Sequence, residues 1–144
     1  MKKLIQEDPE NKEFIYKLNE STFALSLKAK RNILEQNLYG VDINPYATEV
    51  SEFSLLLKLL EGENKATVDS FLSLYSEKVL PNLKANIKCG NSLVDSKFYE
   101  FLPEALEDDK ILKKVNPFDW ELEFPFLKET SGFDAIIGNP PYVR

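Results

Sequence analysis

Apolar residues recur at intervals of three, four or seven at Phe14, Leu18, Leu25, Ala29 and Ile33, within a stretch from residue 12 to about 37 that lacks Gly and Pro. That spacing predicts one or two amphipathic helices ending near Asn37. The pattern then changes to a short apolar run, Leu38 to Ile43, interrupted late by Asp42, which suits a buried strand ending on an acid. Asn44-Pro45 follows as a helix start, with Asn44 able to cap and Pro45 at the first helical position, where its missing N–H costs nothing. This helix should run to about Glu61 and close at Gly62. Leu55, Leu56, Leu57, Leu59 and Leu60 make it apolar around most of its circumference, as expected of a helix wedged between a sheet and another layer. A further helix is predicted over roughly 65 to 80, ending at Pro81. Asn86 to Cys89 reads as a short strand broken by Gly90-Asn91, and Phe133 to Gly138 as a third apolar strand running into Asn139. Strand, helix, strand and strand, each strand closing on polar or turn residues, predict an α/β fold with parallel strands and flanking helices. Ligands of such sheets bind outside the carboxyl ends of the strands.

Composition narrows the chemistry. The 144 residues are 43% hydrophobic and 29% charged, within the range of one soluble globular domain. There is no His, and Cys89 is the only cysteine, which excludes an internal disulfide, a cysteine-histidine zinc cluster and a histidine general base. No metal site is expected. No apolar run approaches the ~20 residues of a membrane span, and Met1-Lys2-Lys3 leads into Glu7, Asp8 and Glu10 rather than an apolar core, so the expected compartment is the cytoplasm. The formal net charge is -6, concentrated in residues 95 to 129, where 10 Asp and Glu stand against 5 Lys and Arg. Three prolines and seven aromatics share that segment, which therefore reads as an ordered acidic insertion rather than a disordered linker. An acidic chain is a poor binder of nucleic acid through bulk charge alone.

Asn139-Pro140-Pro141-Tyr142 is the sharpest signal, since chance would place this string in a chain of this length on the order of once in a thousand. A strand-ending turn accounts for the prolines but not for the amide before them or the aromatic after them. The Asn139 side-chain oxygen and the Pro140 carbonyl, held by the stiff Pro-Pro step, can both accept from one amino group. Two such acceptors localise the nitrogen lone pair and make an exocyclic amine nucleophilic. Tyr142 offers a face on which a planar base can stack, worth ~1 to 3 kcal/mol. Gly40-Val41-Asp42-Ile43-Asn44-Pro45 places an acid where nucleotide-binding sheets hold ribose hydroxyls, with Ile43 able to pack on an adenine ring. An ordinary strand-turn-helix explains the same residues. Asn91, in Cys89-Gly90-Asn91-Ser92-Leu93, offers a donor and an acceptor for an adenine edge, although Gly-Asn-Ser is also common turn chemistry. Cys89 reads as a buried structural thiol.

Taken in order, GVDINP, IKCGNSL and FDAIIGNPPYVR resemble the ribose-binding, adenine-binding and catalytic motifs of S-adenosylmethionine-dependent adenine-N6 DNA methyltransferases. The likeness is strongest to those of type IIG restriction-modification and related phage-defence systems. It runs from about Lys28 to Arg144 and includes Phe118-Asp119-Trp120-Glu121 with Phe124-Pro125. It implies a Rossmann-like class I methyltransferase sheet and S-adenosylmethionine as cofactor. By position, Asp42 would take the ribose hydroxyls, Ile43 the cofactor adenine, and Asn91 with Ser92 its N6 edge. Asn139 and Pro140 would accept from the target amine, and Tyr142 would stack on an adenine flipped out of double-stranded DNA.

Complete members carry a first strand and a glycine-rich loop before the ribose motif, whereas the five glycines here are at 40, 62, 90, 132 and 138. The expectation is therefore that residues 1–144 form an incomplete methyltransferase sheet, lacking that loop and a target-recognition domain and inactive alone. Two other readings use the same residues. RNA-base or release-factor glutamine methyltransferases share the NPPY string, but there a short link joins the two motif strands, whereas 48 residues separate Asn91 from Asn139 here. A non-catalytic module could instead bind a partner through the segment 95 to 129.

Overall fold

In a computed structural model of the chain, which describes residues 14–75 and 78–139, the first elements are two antiparallel strands, β1 (Ile15–Lys17) and β2 (Phe23–Leu25). Apolar spacing predicts helix there, and the local turn overrides it. The Asn19 side-chain oxygen accepts from the N–H groups of Ser21 (3.1 Å) and Thr22 (2.9 Å), and the Leu18 N–H donates to the Thr22 carbonyl at 2.9 Å. Such side-chain-to-backbone bonds offer the chain an alternative to helix, and the flanking β-branched and aromatic residues favour pairing. Helix α1 (Leu27–Gln36) begins only where Ser26 can cap it, accepting from the Ala29 N–H at 3.1 Å.

Strand β3 (Gly40–Asp42) pairs in parallel with β4 (Ile87–Cys89), Gly40 opposite Ile87 and Asp42 opposite Cys89. Parallel neighbours need a long crossover. Here it consists of α2 (Pro45–Leu60) and α3 (Lys65–Tyr75). Asn44 caps α2 through the Tyr46 N–H at 2.9 Å, and Gly62 follows its end at φ +79°, a backbone region that other residues rarely occupy. Asn64 and Thr67 cap α3 reciprocally. The described part of α3 stops at Tyr75, short of the expected 80; residues 76 and 77 lie outside the described residues and 78–80 are not helical. The result is α/β, a small parallel sheet with flanking helices, preceded by a hairpin.

The core of this part comprises Leu27, Leu34, Leu59, Phe71, Leu83 and Ile87, with Leu55 and Leu56 packed against it. Tyr46, Val50, Phe53 and Leu57, at i, i+4, i+7 and i+11 on α2, remain exposed. The expected burial of α2 on two sides is thus met on one. Lys30 links α1 to the end of α2, its ammonium 2.8 Å from the Glu61 carbonyl and 2.6 Å from the Glu63 carboxylate. Lys58 pairs with Glu61 and holds that carboxyl below the usual carboxylate range.

Asn86 is one of the few buried polar side chains among the described residues. Its amide nitrogen donates to the carbonyls of Leu34 (3.3 Å), Glu35 (2.9 Å) and Leu38 (3.0 Å), satisfying the end of α1 just before β4 begins, while its own carbonyl accepts from the Gly40 N–H at 2.9 Å. Asn86→Ala leaves those helix-end carbonyls without their donor and is expected to destabilise the fold by about 2 kcal/mol, read as a lower urea midpoint at unchanged slope. Asn86→Asp should cost more, because an acceptor then faces three acceptors.

The chain divides at Cys89/Gly90 into two compact units. In the second, α4 (Phe98–Phe101), a 3-10 turn (Pro103–Glu107), α5 (Asp109–Val115), α6 (Trp120–Glu123) and a second 3-10 turn (Pro125–Lys128) follow one another. Asp108 caps α5, and Asn116 closes it in the left-handed conformation at φ 41°. Ala105, Phe118 and Phe124 are buried. Residues 133–138, expected as a third strand, have no regular structure, and Ile136 and Ile137 are 80% and 99% exposed. An apolar run reports a tendency to be buried, whereas a strand also needs a neighbour for its N–H and C=O groups, and among the described residues no strand pairs with this one.

Candidate functional site

Asp42 ends β3 at the carboxyl edge of the parallel pair, exposed to solvent. One of its carboxylate oxygens accepts from the Asn44 N–H at 2.7 Å, a turn that sets the entry into α2; the other has no hydrogen bond among the described residues. Ile43 beside it is 49% exposed, and Tyr46, in the first turn of α2, is 76% exposed. Cys89, opposite Asp42, is exposed rather than buried, and its thiol lies 3.5 Å from the Ile43 carbonyl. The parallel register is the cause, since it carries Cys89 to the same open edge as Asp42.

In the second unit, Asn91 and Ser92 lie in a turn. The Asn91 side-chain oxygen accepts from the Leu93 N–H at 3.2 Å, its N–H donates to the Asn116 carbonyl at 2.6 Å, and its side-chain NH₂ has no partner among the described residues. Ser92 is exposed, and its carbonyl accepts from the Trp120 ring N–H at 3.0 Å. Gly90 is buried against Phe118: a Cβ there would meet Phe118 Cδ2 at 2.6 Å and Cβ at 2.9 Å. Glycine is required for this close approach rather than for a positive φ. The packing of Phe118 on Gly90 and the ring bond from Trp120 are not legible from motif spacing. The one signal pointing to them is the aromatic density of an otherwise acidic segment.

Asn139 is exposed at the end of the irregular stretch, with no hydrogen-bond partner for its amide among the described residues. Pro140 and Tyr142 lie outside the described residues. Asp42 and Ile43 are thus gathered on one unit, and Asn91, Ser92 and Asn139 are carried by the other. Among the described residues no group of three or more His, Cys, Asp or Glu is placed to hold a metal ion, and no helix is long and apolar enough to cross a membrane.

Comparison with known proteins gives the class to which these motifs belong. The model of the Eco57I restriction-modification methylase family matches residues 36–144, a stretch containing Asp42, Asn91 and Asn139, and the chain belongs to this family of methyltransferases. Among individual relatives, it is 37% identical over 133 residues to the type II restriction enzyme and methyltransferase RM.Eco57I of Escherichia coli, covering 92% of this chain and 11% of that protein. It is 26% identical over 111 residues to the adenine-specific methyltransferase PglX of Streptomyces coelicolor, covering 74% of this chain and 9% of that protein. The chain therefore spans about a tenth of the length of these relatives. No solved structure matches it.

Proposed function

We propose that this chain is a segment of the catalytic domain of a site-specific DNA methyltransferase, in a Rossmann-like sheet, that methylates N6 of adenine within a restriction-modification system. The observation that carries this reading is the NPPY string beginning at Asn139, inside the stretch matched by the methylase family. The solvent-exposed stripe on α2 is in keeping with a segment that packs against further parts of such a domain.

The residues present fit S-adenosylmethionine. Its adenosine needs an acceptor for ribose hydroxyls, an apolar face and a donor-acceptor pair for the adenine edge. Asp42 has an unused carboxylate oxygen, Ile43 an exposed apolar side chain, and Asn91 an unused NH₂ beside an oxygen with a second lone pair. Ser92 adds an exposed hydroxyl. When bound, S-adenosylmethionine supplies a methyl group on a positively charged sulfur, open to attack by a nitrogen lone pair. On the acceptor side, the Asn139 oxygen and the Pro140 carbonyl take hydrogen bonds from the target NH₂, drawing its lone pair out of conjugation with the ring. Tyr142 stacks on the same base once it has left the duplex, because N6 is otherwise paired and shielded. None of these steps uses histidine or a metal.

The test is acceptor choice. The protein containing this chain, given methyl-labelled S-adenosylmethionine and, side by side, double-stranded DNA, ribosomal RNA and a release factor, should label DNA. Digestion should return the label as N6-methyladenine. Label confined to RNA or protein would transfer the assignment to the other methyltransferases that share the NPPY string, and label in none would leave the interaction-module reading.

A further inference from the structure

We infer that Trp120 is a positioning residue for the turn that carries Asn91, and that Asn116–Trp120 clamps residues Gly90–Ser96 in their cofactor-binding shape. The inference rests on the reading of Asn91 given above and deepens it. A short polar turn after a strand end is held weakly by its own bonds, and this one has a single internal side-chain bond at Asn91, to the Leu93 N–H. The turn's backbone adds one more, from the Val94 N–H to the Asn91 carbonyl at 3.2 Å, and the bonds that tie it to the following part of its unit come from one short stretch of chain. The Asn116 carbonyl accepts from the Asn91 N–H at 2.6 Å, the Phe118 N–H donates to the Val94 carbonyl at 2.8 Å, and the Trp120 ring N–H donates to the Ser92 carbonyl at 3.0 Å. Asp119 accepts from both the N–H (3.2 Å) and the hydroxyl (3.1 Å) of Ser96. Phe118 seats directly on Gly90.

Trp120 is the informative member. Ser92 is exposed, so water would satisfy its carbonyl as well as an indole does. An indole N–H reaching across 28 residues therefore contributes direction rather than satisfaction. It fixes the peptide immediately after Asn91-Ser92, and with it the way both side chains present themselves. The same ring packs edge-on against Phe133, centroids 5.8 Å apart, at the head of the stretch that leads to Asn139. Deleting the N–H while keeping a ring should therefore weaken cofactor binding without changing the chemical step.

The experiment compares three variants of the protein containing this chain, measuring S-adenosylhomocysteine affinity by calorimetry alongside KM for S-adenosylmethionine, kcat and the thermal midpoint. In Trp120→Phe, the Kd and KM are expected to rise about fivefold, the effect of losing one hydrogen bond, with kcat within twofold of the parent and a cooperative thermal transition retained at a modestly lower midpoint. Asp119→Ala, which frees Ser96 instead, should show the same split, and it carries the test if Trp120→Phe does not fold. Asp42→Ala serves as the control for cofactor binding itself. A raised Kd in Asp42→Ala with parental values in Trp120→Phe and Asp119→Ala overturns the clamp alone. A parental Kd in Asp42→Ala overturns the cofactor reading beneath it. A fall in kcat at unchanged Kd in Trp120→Phe also overturns the clamp.

Discussion

Asn139→Ala in the protein containing this chain should slow methyl transfer to DNA by about 10²- to 10³-fold, the range for losing one preorganised polar partner of a transition state. The physical reason lies in the acceptor. An exocyclic adenine amine shares its lone pair with the ring, and its hydrogens become more acidic as the nitrogen begins to bond to carbon. In the proposed role, a hydrogen bond from that NH₂ to the Asn139 oxygen would be stronger in the transition state than in the ground state, so its loss would fall on rate rather than on substrate binding. Asn139 is exposed and makes no other hydrogen bond among the described residues, so the substitution should leave the fold and cofactor affinity essentially intact. Single-turnover transfer of a labelled methyl group separates these effects. Asn139→Asp, which keeps an acceptor at the same distance from the backbone, should retain more activity than alanine. A fall of less than tenfold in Asn139→Ala would remove this side chain from the chemistry.

Local chemistry and long-range pairing differ sharply in how far they can be read from the residues. The α2 start at Asn44-Pro45, its stop before Gly62 and the strands at Gly40–Asp42 and Ile87–Cys89 depend on neighbours within a few positions, and all four are legible. The hairpin at Ile15–Leu25 was hidden because Phe14, Leu18 and Leu25 happen to fit a helical repeat, while the deciding feature is the hydrogen bonding of Asn19 to Ser21 and Thr22. Cys89 reads as buried because thiols commonly are, and only the register opposite Asp42 puts it at the open edge. For Phe133–Gly138, pattern alone supplies an apolar run but not a pairing partner, and exposed Ile136 and Ile137 result. Of the candidate site, Asp42 and Asn139 come from motif and turn chemistry. The support of Asn91 by Asn116, Phe118 and Trp120 depends on contacts 25 to 28 residues away in sequence, for which one sequence has no local signature.

Phe124→Ala is the substitution expected to cost most in stability, about 3 to 5 kcal/mol, and to cost it unevenly. Phe124 is 2% exposed at the centre of an aromatic group, with ring centroids 5.7 Å from Phe118, 5.8 Å from Trp120, 6.1 Å from Phe126 and 6.3 Å from Phe133. Phe118 and Phe124 are buried rings of its unit, where helices of four to seven residues contribute little by themselves. Removing the central ring leaves a cavity bordered by Phe118 and Trp120, the two residues that hold the turn at Gly90 and Ser92. Because the chain folds as two compact units, the loss should be confined to the second. Hydrogen exchange in the protein containing this chain provides the readout. The amides of Asn91 and Phe118, bonded to the carbonyls of Asn116 and Val94, should exchange much faster in Phe124→Ala, while Gly40, bonded to the Asn86 carbonyl, keeps its protection. Phe124→Leu, which refills much of the cavity, should restore most of the protection at Phe118. Equal acceleration at Gly40 and Phe118 would show that the units do not unfold separately, and an unchanged Phe118 would show that the turn does not depend on the aromatic group.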